Sequence, residues 1–262
     1  MNSPLATTPD LFNSTTWFVC SQANPGVATR LFLFPYAGGG PALFSKWFAE
    51  PHPLIERWAV HYPGRGSRHH EPPIKNIFLL AGALSRAIQP FLDQPFVFFG
   101  HSFGALVAYE LALHLRRRGL PQPNILFVSA CSAPHLLDPQ PPIHELPDPE
   151  FLKSLQKLNG IPSELLHQPD VIQLLLPILR ADFEAIESYL YTPDELPLNR
   201  PIIAFGGLSD PRVSRARLEG WASHTDSSFK SQYFPGDHFF VNTARKLIMA
   251  SIAAEIKALS HS

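Results

Sequence analysis

The chain has 262 residues, 45% of them hydrophobic, a formal net charge of -1 and two cysteines. That length and composition fit one large α/β core, and the near-zero charge, with no long charged block, excludes an electrostatic footprint for nucleic acid or an anionic membrane. Cys20 and Cys131 are too few for a disulfide scaffold and stand at no metal-ligand spacing, so a reducing cytoplasm is the expected compartment.

The opening "MNSPLATTPDLFNSTTWFVCSQ" has neither a basic n-region nor a long apolar run. Residues 1–28 are therefore expected to be a partly disordered lead-in, not a secretion signal. No span approaches a transmembrane helix. Short apolar runs then recur: "RLFLFP" at 30–35, "WAVHYP" at 58–63, "PFVFFG" at 95–100, "NILFVSA" at 124–130, "PIIAFGG" at 201–207 and "FKSQYFPG" near the end. Each of the first five predicts a buried strand, and the sixth a last strand that closes the pattern. Amphipathic stretches lie between them, notably 77–92, 103–118 (closed by basic residues and Gly119) and 242–259. Alternation of this kind predicts a mostly parallel central sheet flanked by helices.

After the first of these strands the chain reads "FPYAGGGPALF". Three consecutive glycines let backbone approach a substrate oxygen, with the Ala37 N–H as the donor expected to face the reacting centre. A phosphate cradle is the other use of such a loop, but no Lys-Ser/Thr follows and G-x-G-x-x-G is absent. The adjacent His69-His70 has no spaced ligand partner, and no metal site is expected.

At 96–110 the chain reads "FVFFGHSFGALVAYE", an apolar strand, Gly100-His101-Ser102-Phe103-Gly104, then a helix. G-x-S-x-G alone is a weak motif. Between a strand and a helix it predicts a nucleophile elbow, in which small flanking residues make room for a strained serine. His101 is expected to point away from that serine. From 137 to 196 no strand is legible, only "LDPQPPIHELPDP" and two helical segments. An insertion of about sixty residues between strands predicts a helical lid, or else a helical excursion that only packs on the core. The expected organisation is thus a core of 29–136 and 197–262 with a lid at 137–196. Leu174, Leu175 and Phe183 fit equally an acyl channel or lid packing.

A serine at an elbow needs a base and an orienting acid. Asp210 follows a predicted strand in "IIAFGGLSDPRVS", and His238 lies in "YFPGDHFFVN" before the last helix. The order Ser102, Asp210, His238 is that of an α/β-hydrolase fold, not of chymotrypsin or subtilisin. Asp210 could instead cap a following helix.

Together these stretches, with "YPGRGSRHHEPP", "LPDPEFLKSLQKLNGIP" and "LLLPILRADFEAIESY", resemble the type II thioesterases that accompany nonribosomal peptide and polyketide synthases. The resemblance runs over nearly the whole chain beyond the first thirty residues. It implies an α/β-hydrolase fold with a helical lid, catalytic roles for Ser102, Asp210 and His238, and backbone oxyanion donors at Ala37 and Phe103. It implies hydrolysis of acyl thioesters on the phosphopantetheine arm of an acylated carrier domain supplied in trans, editing misprimed or stalled synthases, without metal or bound cofactor. A monomer is expected. A medium-chain acyl-carrier-protein thioesterase, a small-ester hydrolase and an inactive binding scaffold stand as alternatives. Two positions depart from the family pattern. Many members have Gly where Asp237 stands and Met where Phe103 stands. Asp237 either turns toward His238 and raises its basicity or faces solvent. For "GRGSR" and Glu71, an ion pair of Arg65 or Arg68 with Glu71 is expected to brace the loop, against phosphate binding.

Overall fold

The structure, a computed structural model, describes residues 14–20, 29–49, 52–137, 141–158, 168–193 and 195–259. Seven strands form one sheet: β1 (Phe18–Cys20), β2 (Thr29–Phe34), β3 (Ile55–Val60), β4 (Phe96–His101), β5 (Leu126–Ser129), β6 (Ile202–Gly207) and β7 (Phe229–Phe234). Their order is β1-β3-β2-β4-β5-β6-β7, with β1 antiparallel to β3 and all other pairs parallel. The helices are α1 (Ser14–Trp17), α2 (Ser45–Phe48), α3 (Ile77–Ala87), α4 (Phe103–Arg117), α5 (Asp148–Lys157), α6 (Pro169–Glu187), α7 (Arg215–Glu219), α8 (Phe240–Thr243) and α9 (Arg245–Leu259).

The apolar runs of β2 to β6 form strands because both of their faces are covered, whereas β7, at the sheet edge, is mostly exposed. Phe32, Phe34, Phe96, Phe98, Leu126, Val128, Ile202 and Ala204 turn to one face and pack with α3 and α4. Their odd-numbered neighbours Leu31, Leu33, Val97, Phe99, Phe127, Ile203 and Phe205 turn to the other and pack with α9, Phe44 and Trp47. Alternation along an all-apolar strand thus divides one sequence run between two cores. Helix α4 ends where expected: Gly119 takes a positive φ of 64° and its N–H bonds the Arg116 carbonyl.

Three boundaries differ from the sequence reading. Residues 14–20, placed in the lead-in, form α1 and the edge strand β1, in register with Trp58, Ala59 and Val60 of β3. An antiparallel edge of three residues carries too little pattern to read, and its stability comes from Trp17 and Phe18 in the core. The remainder of 1–28 lies outside the described residues. Strand β3 starts at Ile55, earlier than the expected 58, because the buried charged residues Glu56 and Arg57 interrupt its apolar pattern. The helix expected over 77–92 stops at Ala87 and continues as a 3-10 turn at Gln89–Phe91, where Pro90 lacks an N–H for the helix.

Between β5 and β6 the described residues contain α5 and α6 and no strand. They carry their own apolar cluster of Phe151, Leu155, Ile172, Leu179 and Phe183, against which Ala37 also packs. This helical layer therefore sits on the glycine-rich loop that follows β2.

Candidate functional site

Ser102 stands at the C-terminal end of β4, with φ 54° and ψ -119°. For a non-glycine residue this is strained backbone, and it holds only because the strand and helix around it pack closely. A Cβ on Gly100 would lie 2.2 Å from the Gly104 carbonyl oxygen, and one on Gly104 would lie 2.2 Å from that of Phe34. Both glycines are therefore needed where β4, the turn and α4 meet β2. The Ser102 N–H is anchored on the Ser129 carbonyl at 2.7 Å. Phe103, first residue of α4, has an N–H without an intrahelical acceptor, while its side chain is buried against Tyr62 at 5.6 Å between ring centroids.

The loops carrying the other two residues are joined through backbone. Ser209 N–H bonds the Gly236 carbonyl at 2.9 Å, and Asp210 N–H that of Gly207 at 3.2 Å. A Cβ on Gly207 would sit 2.5 Å from the Asp237 carbonyl oxygen, so the glycine at the end of β6 lets the 236–238 turn close over it. His238 Nδ1 then lies 2.9 Å from Asp210 Oδ2, and His238 Nε2 lies 3.1 Å from Ser102 Oγ. An ionised carboxylate only accepts, so Nδ1 carries the proton and Nε2 presents its lone pair to the serine hydroxyl. Asp210 Oδ1 accepts from the N–H groups of Arg212 and Val213 at 2.8 and 3.3 Å. The carboxylate thus serves a turn with one oxygen and the imidazole with the other, while the N-cap of α7 is Ser214.

Burial lowers the His238 pKa, the Asp210 hydrogen bond opposes that, and the Arg212 charge adds to the lowering. For Asp210 burial works upward, but the His238 hydrogen bond and charge with the two backbone donors hold it below its ordinary value. Asp237 is exposed and accepts from the Phe239 N–H at 2.9 Å, the solvent-facing alternative.

His101 points away from Ser102, as expected, yet contributes something the sequence reading missed. Its Nε2 is 2.8 Å from the His238 carbonyl, and its Nδ1 is 2.9 Å from Ser129 Oγ. A carbonyl can only accept, so Nε2–H donates to His238 and Nδ1 accepts from Ser129. Complete burial, with His238 adding a smaller push, lowers the His101 pKa to about 3 and keeps this ring neutral. It supports the backbone of His238 from behind. The elbow motif offered no signal for this, because the partner lies 137 residues away.

Ala37 packs against both the main core and the α5–α6 cluster. In the loop after β3, Arg68 pairs with Glu71 through Nε at 2.7 Å and lies over the Trp17 ring at 4.0 Å. Arg65 instead pairs with Asp182 of α6, a partner the sequence reading did not identify. Of the three residues considered for an acyl channel, Leu174 is 71% exposed and Phe183 is buried against Phe151. Among the described residues no group of three or more His, Cys, Asp or Glu could hold a metal ion, and no helix is long and apolar enough to cross a membrane.

A model of the thioesterase domain family matches residues 29–258. The chain is 39% identical to the linear gramicidin dehydrogenase LgrE of Brevibacillus parabrevis, over 92% of this chain and 93% of that protein. It is 40% identical to the gramicidin S biosynthesis protein GrsT of Aneurinibacillus migulanus, over 86% and 88%. Among solved structures it is similar to the type II thioesterase BorB from the borrelidin biosynthetic cluster, with TM-score 0.83 and 33% identity, covering 91% of this chain and 97% of that one.

Proposed function

Because the chain belongs to the thioesterase family and is a type II thioester hydrolase of α/β-hydrolase fold, we propose that Ser102, His238 and Asp210 release acyl groups from the phosphopantetheine arm of carrier domains by an acyl-enzyme route. The observation that carries this reading is the unbroken hydrogen-bond line from Ser102 Oγ through His238 to Asp210, with the serine on a strained elbow. His238 Nε2 takes the hydroxyl proton as Ser102 Oγ attacks the thioester carbonyl. The N–H groups of Ala37 and Phe103 receive the oxyanion. Collapse expels the pantetheine thiolate, which takes the proton from His238. Water, deprotonated by the same ring, then hydrolyses the ester and returns Ser102. Asp210 holds the tautomer and stabilises the imidazolium. This route uses no metal or bound cofactor, since the phosphopantetheine arrives with the substrate.

The carrier is supplied in trans, and the acylated arm enters beside the α5–α6 lid that sits on Ala37. Clearing misprimed or stalled synthases is the biological role this assigns, for a chain acting as a monomer in the cytoplasm. The dehydrogenase activity in one relative's name lacks a matching loop here. After β2, Gly38-Gly39-Gly40 leads into a short 3-10 turn at Pro41–Phe44, without G-x-G-x-x-G opening a long helix. The test compares release of one acyl group from a carrier protein and from coenzyme A, for wild type and Ser102→Ala. Preference for the carrier and a loss of about a thousandfold or more in the variant are expected. Equal or better turnover of the coenzyme A ester would sink the carrier-specific part and leave a general acyl hydrolase.

A further inference from the structure

The turn that carries Ala37 is fixed from outside by two charged side chains. Asp182, on the lid helix α6, accepts from the Gly38 N–H at 2.7 Å. Arg65 donates to the Gly39 carbonyl at 3.0 Å and makes two hydrogen bonds of 2.7 Å to the Asp182 carboxylate. Both side chains are nearly inaccessible, 5% and 1% exposed. Within the turn, the Gly39 N–H bonds the Tyr36 carbonyl at 2.9 Å. That carbonyl and the Ala37 N–H belong to one planar trans peptide, so holding the oxygen inward aims the N–H outward. Gly38 stands at φ 77°, a backbone conformation in which a side chain would be strained, and a Cβ there would press on Leu179 Cδ2 of the same lid helix at 2.6 Å. On its other side the Arg65 guanidinium lies over the Tyr62 ring at 5.2 Å, and Tyr62 packs on Phe103.

A buried ion pair is weak evidence of stabilisation, since apolar residues of similar volume would often serve as well. What this pair supplies is direction: apart from the Arg65 bond to the Pro63 carbonyl, its remaining hydrogen bonds go to the Gly38 N–H and the Gly39 carbonyl of the turn that carries Ala37. We propose that Arg65 and Asp182 are positioning residues for the oxyanion site, fixing the Ala37 N–H and making its alignment depend on the seating of α6. This rests on the acyl-enzyme reading above. Displacement of α6 withdraws Asp182 from Gly38, so an unseated lid leaves the serine and histidine in place but the oxyanion donor misaligned.

The test uses Asp182→Asn and the double variant Arg65→Met/Asp182→Leu, which removes both charges together. Steady-state hydrolysis of an acyl-carrier protein is measured beside the inhibition constant of an alkyl trifluoromethyl ketone, whose tetrahedral adduct places an oxyanion at the site, and a thermal melt. The expected result is a fall in kcat of about 10- to 100-fold, KM within about twofold, and comparably weakened inhibitor binding, in protein that still melts cooperatively. If Asp182→Asn fails to fold, the double variant carries the test, and the reverse. Wild-type kcat in a folded variant, or a loss confined to KM, would overturn the proposal. Ser102→Ala run in parallel separates the two readings: if it keeps turnover, the serine mechanism falls and this proposal with it. If it is inactive while the pair variants are unimpaired, only the pair's role falls.

Discussion

At the scale of single residues, the chemistry turns on which form of His238 is present. In the proposed mechanism the ring accepts the Ser102 proton only when neutral, and burial lowers its pKa below the ordinary 6.5. Activity therefore persists to lower pH than a solvated histidine would allow. The profile of kcat/KM, which reports the free enzyme, is expected to show an acid limb below 6.5, and an acid limb at or above that value would contradict the assignment. Ser102, Asp210 and His238 were legible in the sequence because each follows an apolar run and their order is diagnostic. His101, Arg65 and Asp182 were legible only as residues. Their partners are set by tertiary contacts between segments far apart in the chain, and an Arg-x-x-Arg-x-x-Glu loop suggests a local ion pair more readily than one reaching across 117 residues.

At the scale of elements, the strand–turn–helix at β4–α4 is constrained most tightly. Gly104→Ala adds a Cβ within 2.2 Å of the Phe34 carbonyl oxygen, against backbone that cannot rotate aside. The substitution is expected to cost about 3 kcal/mol or more in urea-induced unfolding and to separate β2 from the elbow, with loss of thioester turnover. A stability change under about 1 kcal/mol with full activity would show that the close approach is not needed. The buried strands were readable because double-sided burial writes itself as an unbroken apolar run. The edge strand β1 was not, since three residues paired on one side leave no periodicity to detect.

At the scale of the whole molecule, several histidines are held neutral by burial. The His101 pKa is lowered to about 3 and that of His224 to about 4, with His238 shifted in the same direction. Each binds fewer protons folded than unfolded below about 6.5, so the stability they contribute is full above that pH and is lost as pH falls toward the folded values. Glu110, raised by burial, acts the opposite way, but it is one group against these three and His52, His61 and His114, which are lowered as well. The urea midpoint is therefore expected to be lower at pH 5 than at pH 7, and an equal or higher midpoint at pH 5 would contradict this. The sheet with its flanking helices is legible as alternation in the sequence, and the α5–α6 layer as the stretch where that alternation breaks. The seating of α6 on the Ala37 loop is not, because an amphipathic helix shows that a face is buried without showing against what.

The central claim is that Ser102 is the nucleophile of thioester hydrolysis, and its most direct test is titration with a fluorophosphonate followed by peptide mass spectrometry and residual turnover of an acyl-carrier substrate. The account predicts one equivalent of phosphonate on the peptide containing Ser102, with turnover lost in proportion. Modification at another residue, or full turnover after Ser102 is blocked, would contradict it.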